Sequence, residues 1–325
     1  MSERILVTGG AGFIGSHVVD ALMARGQIPI VIDDFSSGSA ANLPLGVETI
    51  VANVADPRIV DTIVRLKPDG MIHAAAQASV PRSMAEPQRD REINLLGTEH
   101  VIAAASRVKE CRVVFVSTGG GIYGDTDGPA TEQSVPRPKS YYSAHKYAAE
   151  RYLEYSGLSY AIARLANVYG PRQRSDLEGG VVSIFAERLT QGQEVTIYGS
   201  GEQLRDFVHV SDVVRALLIM LDTRLDGLWN VGTGRQVSVN ELLESMATVL
   251  DRPLHVRHVP SRPGDVFRSC LNVSRIENDL GWIPHVPLEV GVASLLQPKI
   301  KEIYTFAVPN APWTATVPVR GQHAE

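Results

Sequence analysis

Metal and disulfide chemistry find little to work with in this sequence. Its two cysteines, Cys111 and Cys270, lie far apart, and no Cys-x-x-Cys or Cys/His spacing accompanies either. Both are expected to act as small buried hydrophobes, with no metal site. A positive charge excess is also missing: 31 Lys and Arg against 36 Asp and Glu leave a formal net charge of −5. The basic residues are scattered rather than striped, which removes the electrostatic footprint of a DNA- or RNA-binding surface. No apolar run approaches the ~18 residues of a membrane-spanning helix, and no charged-then-apolar leader precedes the first apolar segment. The expectation is therefore a protein with no nucleic-acid partner and no membrane association, in the cytoplasm. No internal repeat is visible.

What is present is ordinary globular material, 325 residues with 44% hydrophobic content, long enough for a large core and more than one lobe. Short apolar runs at 4–8, 28–33, 47–52, 71–75, 112–117 and 160–165 read as buried strands. Between them, residues 13–25, 56–67, 86–108 and 142–155 carry helical periodicity. Repeated βα units of this kind imply right-handed crossovers and an α/β fold, a doubly wound parallel sheet of the Rossmann type. After residue 165 the rhythm changes: 167–176 reads as loop, 181–191 as helix, 194–197 as a short strand. Residues 207–221 read as strand then helix, 228–231 as a strand and 240–250 as a helix. This divides the chain into a dinucleotide-binding domain over 1–166, with a return segment around 207–233. A smaller C-terminal lobe over 167–206 and 234–296 would bind substrate, and a Pro-rich tail over 297–325 would be loosely held.

The stretch VTGGAGFIGSH contains Gly10-x-Gly12-x-x-Gly15 between the first strand and the first helix. Glycines there tighten the turn, admit a pyrophosphate to the backbone, and let the helix pack on the strand, whose N-terminal amides then face phosphate. Gly9, Gly12, Phe13, Ile14 and Gly15 are the residues expected to touch the dinucleotide. An acidic residue roughly 20 positions on strengthens the fingerprint, and Asp33, followed by Asp34, closes the second strand. A carboxylate can accept both adenosine ribose hydroxyls but repels a 2′-phosphate, so NAD rather than NADP is the expected cofactor. Asn53 ends the third run, where a polar side chain could meet the adenine edge.

Further on, SYYSAHKYAAE holds Tyr142 and Lys146 at i and i+4, on one face of a helix. A phenol with a pKa of about 10 is a poor base at neutral pH. A neighbouring ammonium favours the phenolate and brings it toward the working range.

At this point the chain resembles the extended short-chain dehydrogenases/reductases, and within them the UDP-glucose 4-epimerase-like nucleotide-sugar enzymes. The resemblance runs from residue 5 to about 282. It rests on TGGAGFIGSH, HAAAQASVPRS, INLLGT, FVSTGGGIYG, YSAHKYAAE, RLANVYGPRQ, TIYGSGEQLRDFVHVSDVV, NVGTG and RPGD, in that order. It implies that Tyr142 takes the proton of a sugar 4-hydroxyl while hydride passes to a retained NAD. It also places Ser37, Gly38, Val54, Ala74, Ala75, Ala76, Gln77 and Asn94 beside the cofactor, with His73 at the flank. Lys146 would also hold the nicotinamide ribose.

The third catalytic position departs from the family pattern. Counting back from Tyr123-Gly124, the usual serine falls on Gly119, which leaves Thr118 as first choice and Ser117 as second. Related dehydratases carry acids in this loop, where this chain has glycines, and that argues against dehydration. On the substrate side the resemblance implies contacts from Ser79, Thr118, Gly119, Asn167, Arg205, Arg262, Asp265 and Ser269. Guanidinium forks suit a diphosphate. Ser269, where some relatives carry a tyrosine, leaves room for an N-acetyl group. The expected activity is 4-epimerisation of UDP-glucose/UDP-galactose and also UDP-GlcNAc/UDP-GalNAc. The alternatives are a uronic-acid epimerase, a 4,6-dehydratase or reductase, and a non-catalytic NAD sensor. The resemblance also implies a homodimer through helices at 86–108 and 142–155.

Overall fold

The computed structural model describes residues 2–176, 180–250, 254–261 and 266–296. The expected tail at 297–325, and Arg262 and Asp265, lie outside the described residues. The first half runs β1 (Arg4–Thr8), α1 (Phe13–Ala24), β2 (Ile28–Asp33), β3 (Glu48–Val51), α2 (Ile59–Leu66) and β4 (Gly70–His73). Three helices follow, α3 (Val80–Ala85), α4 (Pro87–Arg91) and α5 (Gly97–Ala105), then β5 (Arg112–Thr118), α6 (Gly119–Ile122), α7 (Tyr141–Glu154) and β6 (Tyr160–Leu165). The second half adds β7 (Asn167–Tyr169), α8 (Val181–Thr190), β8 (Val195–Tyr198), β9 (Leu204–Arg205), β10 (Phe207–His209) and α9 (Val210–Asp222). It closes with β11 (Gly227–Val231), β12 (Val237–Ser238), α10 (Val239–Leu250), β13 (Val256–Val259), α11 (Ser274–Leu280) and α12 (Leu288–Leu296).

Among the described residues, seven strands form one parallel sheet in the order β3-β2-β1-β4-β5-β6-β11. The order reverses between β1 and β4, where Leu6 pairs with Met71 and with Ile30 on its other side. Doubly wound sheets open a crevice at the carboxyl ends of such strands. The strands are apolar along their length because both faces are covered: in β5, every residue but Thr118 is buried. On one face α1 and α9 pack through Val18, Val19, Leu22, Val213 and Leu217. On the other lie Ile59 and Ile63 of α2, Val101 and Ala104 of α5, and Ala149 and Leu153 of α7. A third core joins α8, α10 and α12 to β8 around Phe185, Leu242, Met246 and Val292. No helix among the described residues is long and apolar enough to cross a membrane.

Several boundaries differ from expectation, each for a local reason. The helix expected at 86–108 is broken: Pro87 starts α4, a π-helical turn occupies Glu92–Leu96, and α5 follows. Proline suits a first helical position, and π-turns accommodate one extra residue. The run expected as strand to residue 75 pairs only to His73, although Ala74 N still donates to Thr8 O at 3.0 Å. The expected loop at 167–176 begins with β7, which pairs in parallel with β10. Residues 274–282, assigned by sequence to the smaller lobe, return to the sheet. Ile276 and Trp282 are fully buried in the first core, and Trp282 Nε1 donates to Asp212 O at 3.1 Å.

One polar network crosses the sheet's upper edge. Glu150 of α7 is wholly buried and accepts from Arg164 Nε at 3.0 Å and from Arg164 Nη2 at 2.5 Å. Arg164 Nη1 reaches Tyr123 OH at 2.8 Å, and that hydroxyl donates to Asn230 Oδ1 at 2.9 Å. Removing one partner of a buried pair strands the other's charge, which costs roughly 3–5 kcal/mol. Arg164→Leu is therefore expected to lose about 3–5 kcal/mol in urea unfolding, and Arg164→Leu/Glu150→Gln to lose less, because no unpaired charge remains. A single-variant loss below about 1 kcal/mol would show that the pair behaves like a surface one.

Candidate active site

The turn from β1 into α1 brings backbone against backbone. Gly9 has φ +69°, and a Cβ there would lie 2.6 Å from Ala75 N. A Cβ on Gly15 would lie 2.1 Å from Gly9 O. Gly9, Gly12 and Gly15 line the main cleft with Phe13 and Ile14. Gly10, counted in the fingerprint by sequence, packs inward instead: a Cβ there would meet the Val31 side chain at 2.8 Å. The cleft-facing triple is thus Gly9, Gly12 and Gly15. Gly12 gives α1 no side-chain cap, and the first turn carries no acid, so its amides face the cleft as an anion-binding end.

Asp33 lines the cleft at the end of β2 and is 8% exposed. Its Oδ2 accepts from Ala11 N at 2.9 Å and its Oδ1 from Phe35 N at 2.8 Å. Burial raises its carboxyl above the usual value, and these two amides pull it back. Ser37 lines the cleft beside it, whereas Gly38 stands behind: a Cβ there would sit 2.9 Å from Asp33 Oδ1. Asp34, Asn53 and Val54 line the far end. Asn53 Nδ2 donates to Asp34 Oδ2 at 2.8 Å, and its Oδ1 accepts from Ala55 N at 2.8 Å, two residues past the end of β3.

Ala74, Ala75, Ala76, Gln77 and Ser79 form the opposite wall. Asn94, expected beside the cofactor, does not line the cleft. It is 1% exposed in the π-turn, and its amide reads both backbone groups of Gln77, accepting from N at 3.1 Å and donating to O at 2.9 Å. His73 is also outside the cleft, fully buried between Thr8 Oγ1 at 2.6 Å and Thr98 Oγ1 at 3.0 Å. Burial, with Lys146 nearby, lowers it to about 3, so it is a neutral structural ring.

Ser140 caps α7, in a capping box with Ser143, and this fixes the helix from which Tyr142 and Lys146 enter the cleft. Lys146 is 1% exposed, with Nζ 4.0 Å from the Phe115 ring centroid. Burial lowers its ammonium to about 7, opposed by Glu150 and Asp90. The two candidate hydroxyls both line the cleft but are used differently. Ser117 Oγ donates to buried Glu150 Oε1 at 2.6 Å. Thr118 Oγ1 accepts from Gly121 N at 3.3 Å as the cap of α6, which engages its oxygen and not its proton.

The three glycines let this loop wedge between α7 and the segment at 269–271. A Cβ on Gly119 would meet Leu271 Cδ1 at 2.7 Å, and one on Gly121 would meet Ser143 Cβ at 3.0 Å. A Cβ on Gly120 would lie 3.1 Å from Ser269 Oγ and 3.6 Å from Asn167 Oδ1. Ser269 and Asn167 therefore converge beside the loop. Arg205 stands in the neighbouring strand, its Nη1 donating to Leu204 O at 2.9 Å and Phe267 O at 3.4 Å. Gly119, Asn167, Arg205 and Ser269 do not line the main cleft. Arg82 and Arg89 do line it, and no spacing in the sequence marks them.

With this geometry in view, comparison with known proteins is specific. A UDP-glucose 4-epimerase of Mycolicibacterium smegmatis is 39% identical over 305 residues, covering 90% of this chain and 97% of that protein. The structure of a Thermotoga maritima UDP-glucose 4-epimerase with UDP-glucose superposes with a TM-score of 0.88 at 41% identity, covering 92% of this chain and 99% of that one. A Thermus thermophilus UDP-glucose 4-epimerase in complex with NAD gives 0.86 at 41% identity, covering 90% and 97%. The pattern of the NAD-dependent epimerase/dehydratase family matches residues 5–232, and this chain belongs to that family.

Proposed function

We propose that this chain interconverts UDP-hexoses at carbon 4, keeping NAD in the cleft between rounds. The observation that carries the reading is that Tyr142, Lys146 and Thr118 line the same cleft as the glycine turn and Asp33. The residues fit a dinucleotide. A side chain at Gly9 or Gly15 would strike backbone, and the uncapped start of α1 suits a pyrophosphate. Asp33 would accept the adenosine ribose hydroxyls, with Asn53 and Val54 toward the base and residues 74–77 toward the nicotinamide. When bound, the nicotinamide supplies a reversible hydride acceptor, so the sugar passes through a 4-keto form.

The protein's own part is proton handling and positioning. Tyr142 oxygen takes the proton from the 4-hydroxyl and returns one after the sugar has turned its other face. A protonated Lys146 favours the phenolate that this requires. Thr118 has its proton to offer to the substrate oxygen, whereas Ser117 gives its own to Glu150. No side chain at 119–121 can act as acid or base, which removes the pair that elimination of water needs. Asn167, Arg205, Ser79 and Ser269 would hold the UDP-sugar, as would Arg262 and Asp265. The small buried Ser269 leaves room for an N-acetyl group. Exposed Tyr141 and Tyr152 on α7, and Tyr155 at its C-cap, support a homodimer through that helix and its neighbours.

The purified protein should interconvert UDP-glucose and UDP-galactose with no added cofactor, and UDP-GlcNAc and UDP-GalNAc as well, in a nuclear magnetic resonance assay. Tyr142→Phe should lower the rate by about 10²–10⁴-fold with NAD still bound. An unchanged rate would point to a binding protein, and elimination of water would point to a dehydratase. Thr118→Ala should cost about a hundredfold in kcat, whereas Ser117→Ala should lower stability more than rate. The reverse order would give Ser117 the role. Sedimentation should give a dimer, and Tyr152→Glu should shift it to monomer; a variant that sediments unchanged would exclude this face.

A further inference from the structure

The stretch that carries Tyr142 and Lys146 also carries His145, which the mechanism leaves without a role. Its side chain is 15% exposed, and its Nδ1 donates to Oδ1 of Asp90 at 2.7 Å. Asp90, in α4, is wholly buried. Its Oδ2 accepts from Gln77 Nε2 at 2.8 Å and Asn94 Nδ2 at 2.9 Å. Asn94 in turn holds both backbone groups of Gln77. Gln77 closes the loop on Ser79, donating to its carbonyl at 3.0 Å and accepting from its N–H at 2.8 Å. A single buried carboxylate thus fastens the π-turn and the wall at 74–79, and His145 is the link from that carboxylate to the catalytic helix. On the Oδ1 side of Asp90 the donor is His145 Nδ1. Without it, half of a buried carboxylate lacks a partner, an expensive condition away from water.

We propose that His145 is a positioning residue: by donating to Asp90 it holds the 74–79 wall against α7, and so tightens the bound dinucleotide rather than the proton transfer. The inference rests on the reading that this cleft holds NAD. A competing packing role is also available, since the His145 ring stacks on Tyr141 with centroids 6.1 Å apart and planes at 28°. Two substitutions separate them. His145→Asn keeps an N–H near the place of Nδ1 and loses the ring. His145→Phe keeps the ring and loses the donor.

The test measures the dissociation constant for NAD, the NAD retained through gel filtration, and kcat at saturating NAD. The wild type, His145→Ala, His145→Asn and His145→Phe are compared, with thermal melts to establish folding. His145→Ala and His145→Phe should each weaken NAD by about tenfold, the worth of one charge-assisted hydrogen bond, with a smaller fall in kcat. His145→Asn should recover most of that affinity. Rescue by Phe and not by Asn would overturn the proposal in favour of packing, and equal affinity in all four proteins would overturn it outright. A wild type that binds no NAD would instead remove the reading of the cleft, and this inference with it.

Discussion

Keeping a positive charge out of water is the constraint on which this site is built. Lys146 is almost wholly buried against the Phe115 ring, and burial alone would strip its proton. The two groups that oppose this are Glu150, one helical turn on, and Asp90, across the groove. Both are buried carboxylates, so each needs its own compensation. Glu150 finds it in Arg164 and Ser117. Asp90 finds it in His145, Gln77 and Asn94. A single ammonium thus accounts for polar groups on α4, α7, β5 and β6 that would otherwise look like unrelated buried contacts.

This arrangement also explains why two adjacent hydroxyls have different partners. Ser117 sits below the strand end, where Glu150 requires a donor. Thr118 sits at the strand end, where the helical turn of glycines begins. The glycines follow from crowding on both sides: Leu271 presses on Gly119, and Ser143 on Gly121. Their lack of side chains suits this close packing and is also a chemical absence. The same loop thereby lies against α7 on one side and against Leu271, Ser269 and Asn167 on the other.

Much of this was legible in the sequence, and the limits are physical. Strand positions, the Gly12–Gly15 turn, Asp33 and the Tyr142–Lys146 pair are local: each depends on spacing along one element. The misreadings are tertiary. Asn94 lies in a π-turn and bonds Gln77 instead of lining the cleft, and a register change of one residue leaves no mark on hydrophobic periodicity. Arg82 and Arg89 reach the cleft from short helices whose placement depends on α7. Ile276 and Trp282 look like lobe residues until the chain is seen to return to the sheet.

That return has a mechanical consequence. The chain leaves the sheet after β6, comes back through β10, α9 and β11, leaves again for α10, and returns once more at α11 and Trp282. The first and third cores share elements: β7 and β10 pair in parallel, with Val168 and Val208 in the first core and Tyr169 and Phe207 in the third, so losing either core disturbs the other. The third core is therefore not a separable module hung on the parallel sheet. Unfolding should be a single cooperative event for both.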